Sequence, residues 1–158
     1  MKPASSYLDL DAQFCFALYS ASLAMTKAYK PLLAELGVTY PQYLVLLALW
    51  QYGPQGVGEL GARLYLDSGT LTPLTKRLEA LGLLQRRRST EDERHVEISL
   101  TPAGKRLRAR AEAIPPCILR LSGVELPQVE SLTRELQGLR GHLVASAATV
   151  APSLPISQ

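Results

Sequence analysis

Cysteine is scarce in this chain of 158 residues, which contains only Cys15 and Cys117. Two thiols are too few for the disulfide framework of a small secreted protein, or for a structural zinc site with four Cys or His ligands. Long apolar runs are also missing, because the longest, residues 44–50, is far shorter than the roughly 20 residues that span a bilayer. The amino-terminal sequence MKPASSYLDL lacks the apolar segment of a secretion signal. We therefore expect a cytoplasmic protein whose thiols start out reduced.

The net charge is small, at +3, but the charge is unevenly distributed. Residues 76–110 contain ten basic and five acidic side chains, whereas the rest of the chain is slightly acidic. Concentrated positive charge suits a polyanion such as DNA, because each neutralised phosphate releases counterions. A solvated helix face is the alternative explanation for this charge.

The first half of the chain has helical patterns. Residues 8–30 place apolar side chains at helical spacing and predict a long helix that kinks or stops near Pro31. Thr39-Tyr40-Pro41-Gln42 has the form of a capping box, in which the Thr and Gln side chains bond free backbone amides. The helix that it starts runs to about Tyr52 and is apolar almost all round, which indicates burial at the centre of one domain.

Two short helical patterns follow, over residues 57–64 and 69–81, with Asp67 or Ser68 as the cap between them. A helix-turn-helix has this form, but helical hairpins are common and the pattern alone leaves both open. The segments on either side of a charged turn then predict a β-hairpin with a basic stem, and Thr101-Pro102 starts another helix. A helix-turn-helix followed by a basic hairpin predicts a winged helix that binds DNA.

The predicted fold class is therefore mainly α with a small β-hairpin wing (α+β). The winged helix-turn-helix covers residues 37–102. Helices over residues 8–36 and 103–148 exceed what one small domain needs, so we expect them to form amino- and carboxyl-terminal dimerisation helices. The tail, residues 149–158, contains two prolines and is expected to be disordered.

Several segments resemble the MarR family of transcriptional regulators. Residues 92–101 (DERHVEISLT) match the family's wing signature, an Asp-x-Arg turn leading into a strand that ends Leu-Thr. Four further segments are similar to the OhrR branch, whose members sense organic hydroperoxides: FCFALYS at 14–20, Tyr29, TYPQY at 39–43 and LDSGTLTPL at 66–74. The resemblance covers about residues 8–145. It implies a homodimeric repressor with Cys15 as the peroxidatic thiol and Tyr29 and Tyr40 as its hydrogen-bonding partners.

The spacing of these residues restricts where such a site can lie. Cys15 and Tyr29 are 14 positions apart, and a continuous helix would separate them by roughly 21 Å. They cannot touch within one such helix. If both belong to one site, Tyr29 reaches Cys15 of the other subunit, and the site lies at the dimer interface.

The neighbours of Cys15 are apolar. A peroxide is attacked by thiolate, and the two tyrosine hydroxyls can donate hydrogen bonds that favour this anion. Phe14, Phe16, Leu18 and Tyr19 could supply an apolar pocket, which suits organic peroxides better than hydrogen peroxide. From the residues alone, the alternative is a buried and inert cysteine that acts as a small hydrophobe.

The second thiol, Cys117, follows Pro115-Pro116. A sulfenic acid condenses with an accessible thiol, and the resemblance implies the two-cysteine type, in which Cys15 and Cys117 form a disulfide between subunits. This bond would require the segment around Pro115 to move, because disulfide geometry tolerates only short Cα separations. A cysteine that only packs is the alternative.

For DNA recognition, the second helix of the helix-turn-helix should enter the major groove of a pseudo-palindromic operator. Five of its residues are the expected contacts, namely Ser68, Thr70, Thr72, Thr75 and Lys76. At the wing, we expect Arg94 to insert into the minor groove and Asp92 to orient it. Arg86, Arg87 and Arg88 are expected to hold the phosphate backbone, and a solvated strand edge is the alternative.

Two other functions remain open. A thiol peroxidase would also need a reactive cysteine but no basic wing, so we do not expect an enzyme. A MarR-type repressor released by a small phenolic ligand would keep the fold and make Cys15 incidental. The sequence has no metal cluster or phosphate-binding loop, and His95 and His142 are isolated, so no metal or cofactor is expected.

Overall fold

A computed structural model describes residues 8–88 and 96–147. These residues belong to two compact units, one extending to Pro115 and the other starting at Pro116. None of the helices in the described ranges is both long and apolar enough to cross a bilayer.

The first unit begins with a short 3-10 helix, Leu10–Ala12, followed by α1, Phe14–Ala34. Pro31 lies inside α1, which ends three residues beyond it, close to the predicted end. A proline removes one backbone hydrogen bond, but the turn beyond it is stabilised by Leu33, which is buried. The predicted start at residue 8 is too early for α1, because α1 begins only at Phe14.

Helix α2, Tyr40–Tyr52, starts with the predicted capping box, which is confirmed. The Thr39 backbone N–H donates to Gln42 Oε1 at 2.8 Å. Val45, Leu46 and Leu49 are buried and form the centre of the core, although Leu47 is exposed. Burial of α2 is therefore confirmed for most of its circumference.

The next elements are β1, Gln55–Gly56, then α3, Val57–Leu64, and α4, Ser68–Ala80. The turn between α3 and α4 contains Tyr65 in the left-handed conformation, at φ 56°. Asp67 caps α4 by accepting a hydrogen bond from the Thr70 backbone N–H at 2.8 Å. Gly61 is required by this turn, because a Cβ there would lie 2.8 Å from the Leu66 carbonyl oxygen. The predicted helix-turn-helix is confirmed.

The hairpin consists of β2, Leu84–Arg88, and β3, Val96–Leu100, which pair antiparallel with Arg86 opposite Ile98. The sheet has a third strand, β1, which pairs with β3 and gives the order β1-β3-β2. Ile98, on the central strand, is fully buried. The predicted hairpin is present, whereas its tip lies outside the described residues.

Helix α5, Pro102–Ala111, starts at the predicted cap, where Thr101 Oγ1 accepts from the Gly104 backbone N–H. It is followed by α6, Ile114–Ser122, in which the chain passes from the first unit to the second. The second unit continues with α7, Leu126–Ala147, which has no buried residue. Pro115, Pro116 and Pro127 lie in the first turns of these helices, where a missing N–H is tolerated.

Candidate thiol site and nucleic-acid interface

Cys15 is the second residue of α1 and is exposed in the single chain. The first turn of a helix presents free backbone N–H groups, and the helix dipole there stabilises negative charge. A small oxidant can reach the sulfur. The alternative of a cysteine buried in the core of its own chain is therefore contradicted.

The surface of α1 around Cys15 is apolar. Tyr19, one turn further along, is 61% exposed, and Phe14 is 63% exposed. Phe16 and Leu18 are also exposed in the single chain. These side chains lie where the sequence predicts an apolar pocket, but one chain alone does not enclose them.

Three tyrosines cluster where the second half of α1 meets the start of α2. The ring centroids of Tyr29 and Tyr40 are 4.6 Å apart, and those of Tyr29 and Tyr43 are 6.0 Å apart. Desolvation, with a smaller contribution from Tyr40 and Tyr43, raises the pKa of Tyr29 to about 12. Burial also raises the pKa of Tyr40 and of Tyr43. All three hydroxyls therefore stay protonated, and able to donate, well above neutral pH.

The structure brings Tyr29 and Tyr40 together as the sequence suggested, and it adds Tyr43. Tyr43 could have been predicted from the sequence, because it follows Tyr40 by three residues and residues three apart share one face of a helix. Cys15 and Tyr29 lie in the same helix, α1, which separates them by roughly 21 Å along its axis. The tyrosine cluster therefore cannot serve the Cys15 of its own chain.

Cys117 belongs to α6 and is half-buried. Arg120 Nη2 donates a hydrogen bond to its sulfur atom at 3.1 Å. The two cysteines lie in different units of the chain. Their pairing stays a prediction.

On α4, the candidate DNA-contacting residues Ser68, Thr70 and Lys76 are exposed and Thr72 is half-exposed. The Thr70 hydroxyl donates to Asp67 Oδ2 at 3.2 Å, so its oxygen remains free to accept from a base.

The prediction that Thr75 faces DNA is wrong. Thr75 is fully buried, because it lies four residues after Leu71 and three before Leu78, on the face of α4 that packs into the core. Its hydroxyl donates to the Thr72 carbonyl oxygen at 3.1 Å. Arg77, which sequence reasoning missed, is exposed instead. Its signal was the spacing of seven residues from Thr70, which places both on one helical face.

The three strand arginines differ in exposure. Arg87 and Arg88 are exposed, whereas Arg86 is half-buried. The Arg86 backbone N–H donates to Glu79 Oε1 at 3.2 Å, which joins β2 to α4. Arg86 lies on the same face of the strand as the buried Leu84. Asp92, Arg94 and His95 lie outside the described residues.

Comparisons with known proteins identify the family. A model of the MarR family matches residues 38–96, which include the helix-turn-helix and β2. The organic hydroperoxide resistance transcriptional regulator of Bacillus subtilis (strain 168) is 53% identical over 128 residues, 79% of this chain and 87% of that protein. The chain belongs to the MarR family.

Solved MarR-type structures agree with this assignment. The structure of overoxidized AbfR bound to DNA matches with a TM-score of 0.74 at 36% identity, over 90% of this chain and 99% of that one. The structure of disulfide-formed AbfR matches with a TM-score of 0.64 at 40% identity, over 85% and 92% of the two chains. AbfR is a protein of Staphylococcus epidermidis.

Membership of the MarR family confirms the predicted winged-helix fold class. The matched relatives are transcriptional regulators, so this MarR protein is a transcriptional repressor that binds DNA and not a thiol peroxidase enzyme. Among residues 8–88 and 96–147, no group of three or more His, Cys, Asp or Glu side chains is arranged to hold a metal ion.

Proposed function

We propose that this MarR repressor is a homodimer that senses organic hydroperoxides through Cys15 and releases its operator once oxidised Cys15 has formed a disulfide with Cys117 of the other subunit. The main support for the proposal is that the exposed thiol of Cys15 lies far from the tyrosine hydroxyls of its own chain. Cys15 is exposed in the first turn of α1, while Tyr29 and Tyr40 lie together at the other end. A twofold-related second subunit supplies each thiol with the tyrosines that its own chain cannot provide. The dimerisation layer is formed by residues 8–36 and 103–148.

The chemistry has two steps. The Cys15 thiolate attacks the outer oxygen of a hydroperoxide, the O–O bond breaks, and the alkoxide takes up a proton to leave as an alcohol. Cys15 is thereby oxidised to a sulfenic acid. The Cys117 thiolate of the partner subunit then attacks the Cys15 sulfur, forming an S–S bond as the S–O bond breaks. The departing hydroxide takes up a proton and leaves as water.

We infer that the disulfide, and not oxidation of Cys15 by itself, is the step that releases DNA. The relative AbfR has been described in an overoxidized form bound to DNA and, separately, in a disulfide-formed state. Added oxygen atoms on one sulfur change only the local site. A disulfide between subunits pulls two chain segments to a Cα separation of about 5.5–6 Å, which can reposition whole helices.

DNA binding is proposed to use the exposed side chains of α4 and β2. Ser68, Thr70, Thr72, Lys76 and Arg77 face the major groove, and the strand arginines contact phosphates. At the wing, Arg94 is proposed to insert into the minor groove and Asp92 to orient it. A dimer of this kind implies a pseudo-palindromic operator.

A gel-shift assay on DNA from upstream of the protein's own gene tests the proposal. Alkyl hydroperoxide should release the wild-type protein, whereas Cys15→Ser should stay bound. Cys117→Ser should form the sulfenic acid yet remain on DNA, and non-reducing electrophoresis should show a covalent dimer only when both cysteines are present. Wild-type protein that stays bound after oxidation would contradict the sensor.

A phenolic or other aromatic ligand is the second candidate inducer. A cleft of about 530 Å³ between α2 and α5 is lined by Tyr43, Leu47, Trp50 and Arg108, among others. Arg108 pairs with Glu112, which also lines the cleft, at 3.9 Å, so the cleft offers aromatic rings with little net charge and suits a neutral phenol. Release of Cys15→Ser protein from DNA by such a ligand would favour this alternative.

A further inference from the structure

The carboxyl-terminal half of α1 forms one wall of an apolar groove. We call this the α1 groove; its volume is about 400 Å³, and it is lined by Thr26, Lys27, Lys30, Leu33, Ala34 and Val38 to Pro41. Lys27 and Lys30 are exposed at its rim. Neither takes part in the ion pairs found among the described residues. The groove is therefore an apolar surface with uncompensated positive charge beside it.

The segment just before α1 has the complementary character. Leu8 is 89% exposed and Leu10 is 59% exposed, and the 3-10 helix that contains Leu10 buries no residue. Asp9 and Asp11 alternate with these leucines and are also exposed. We call residues 8–12 the amino-terminal strap. A short segment that exposes large apolar side chains between carboxylates is suited to an apolar groove with lysines at its edge.

Twofold symmetry brings the strap to the groove of the other subunit. If Cys15 meets the partner's Tyr29, then Tyr29 meets the partner's Cys15, and both contacts can exist only when the two α1 helices run antiparallel. The twofold axis then passes beside Ser22, which is midway between Cys15 and Tyr29 and lies on the same helical face. The same symmetry sets Phe14, the first residue of α1, opposite the partner's Lys30, which lines the α1 groove, so the strap just before Phe14 starts beside that groove.

We propose that the amino-terminal strap of each subunit lies in the α1 groove of its partner, with Leu10 on the apolar surface and Asp11 towards Lys30. The arrangement rests on the proposed function, which supplies the register of the two helices. This position of the strap also affects the thiol site. Tyr40 lines the groove, and its ring centroid lies 4.6 Å from that of Tyr29. The strap therefore covers the same tyrosines that receive the Cys15 of its own chain, and it encloses the site in which the peroxide reacts.

Cysteine cross-linking in full-length protein tests the strap. Leu10→Cys and Ala34→Cys are combined in a background of Cys15→Ser and Cys117→Ser, and mild oxidation should give a covalent dimer on a non-reducing gel. The matched control pairs Leu10→Cys with Ala80→Cys, an exposed alanine at the end of α4, and should remain monomeric on the gel. Absence of the dimer, or a dimer of equal yield in the control, overturns the proposal.

Exchanging the charges tests the specific contacts. Asp11→Lys or Lys30→Glu should slow the Leu10→Cys to Ala34→Cys cross-link by about twofold, the effect of one modest ion pair. Combining the two substitutions should restore the rate, because the pair is formed again with reversed signs. Failure of this rescue would overturn the ionic contact, since a merely destabilised chain would cross-link still more slowly.

Ser22→Cys, in the same cysteine-free background, separates failure of the strap from failure of the sensor site. This exposed residue lies at the twofold axis, so it should cross-link to its own copy. A Ser22→Cys dimer without the Leu10→Cys to Ala34→Cys dimer overturns the strap and leaves the sensor arrangement standing. If Ser22→Cys gives no dimer, the antiparallel register is overturned, and the proposed Cys15 site falls with the strap.

Discussion

The hydroxyl group of Tyr29 can be removed with little change in packing by the substitution Tyr29→Phe. The phenylalanine ring keeps the contact with Tyr40, whose ring centroid is 4.6 Å away. In the proposed dimer, what is lost is one hydrogen-bond donor to the Cys15 thiolate of the partner subunit. Because burial raises the pKa of Tyr29 to about 12, this donor is protonated at the neutral pH of the assay.

The size of the effect follows from the strength of the lost bond. A hydrogen bond to a charged group contributes about 1.5–3 kcal/mol. Loss of the bond destabilises the thiolate by this free energy and lowers its population. The remaining thiolate is more basic and therefore more nucleophilic, and since the Brønsted coefficient is about 0.4–0.5, this offsets about half of the effect on the logarithm of the rate. We therefore expect Tyr29→Phe to react with an alkyl hydroperoxide about 4-fold to 13-fold more slowly at neutral pH.

The rate of sulfenic acid formation, followed with a dimedone-type probe in a Cys117→Ser background, measures this step without the disulfide. Tyr52→Phe is the matched control, because it removes the hydroxyl of a tyrosine at the far end of α2. Its rate should equal that of the parent protein. Equal rates for Tyr29→Phe and Tyr52→Phe would refute the assignment of Tyr29 as a donor to the thiolate.

Four further predictions follow from the described geometry. Thr75→Val should leave operator affinity in a binding titration almost unchanged because its side chain is buried, whereas Thr70→Val should weaken it about fivefold, the loss of one hydrogen bond. Leu46→Ala removes a fully buried side chain and should lower the free energy of unfolding by about 2–5 kcal/mol, as measured by denaturant titration at fixed protein concentration. Arg87→Ala should reduce the slope of log affinity against log salt by about 0.9 without altering sequence preference. The raised pKa of Tyr29 means that its unfolded form ionises first, so stability should fall as pH rises from 10.0 to about 12, and Tyr29→Phe should lessen this fall in an alkaline denaturation curve.

Local signals in the sequence were sufficient for most of the fold. The capping box at Thr39, the caps at Asp67 and Thr101, and the alternation of β3 each depend on neighbouring residues, so they could be read without the tertiary structure. The strand β1 could not be predicted from neighbouring residues, because Gln55–Gly56 becomes a strand only by pairing with Ile98 and Glu97 far along the chain. The continuation of α1 beyond Pro31 also depends on tertiary burial, that of Leu33.

The candidate site was less predictable for the same reason. Residue type favoured Thr75 as a DNA contact, but the orientation of α4 against the core decides which of its faces meets DNA, and Thr75 lies on the buried one. The pairing of Tyr29 with Tyr40 came from resemblance, and only the packing of α1 on α2 places Tyr43 in the same cluster. The helical period indicates which residues share a face, whereas the tertiary fold decides whether that face packs against the core or meets DNA.

Helix α2 connects the candidate thiol site to the DNA-binding elements. Its first residue is Tyr40, its middle carries the core residues Val45 and Leu49, and it contacts both α3 and α4. Near its end, Trp50 Nε1 donates to the Gly104 carbonyl oxygen at 2.9 Å, which fixes α2 to α5. A close-packed helix held at both ends moves as a unit, because its core side chains cannot be displaced singly without leaving cavities. In the proposed mechanism, a shift of the tyrosines on formation of the intersubunit disulfide would therefore be transmitted to α4 by displacement of α2 as a whole.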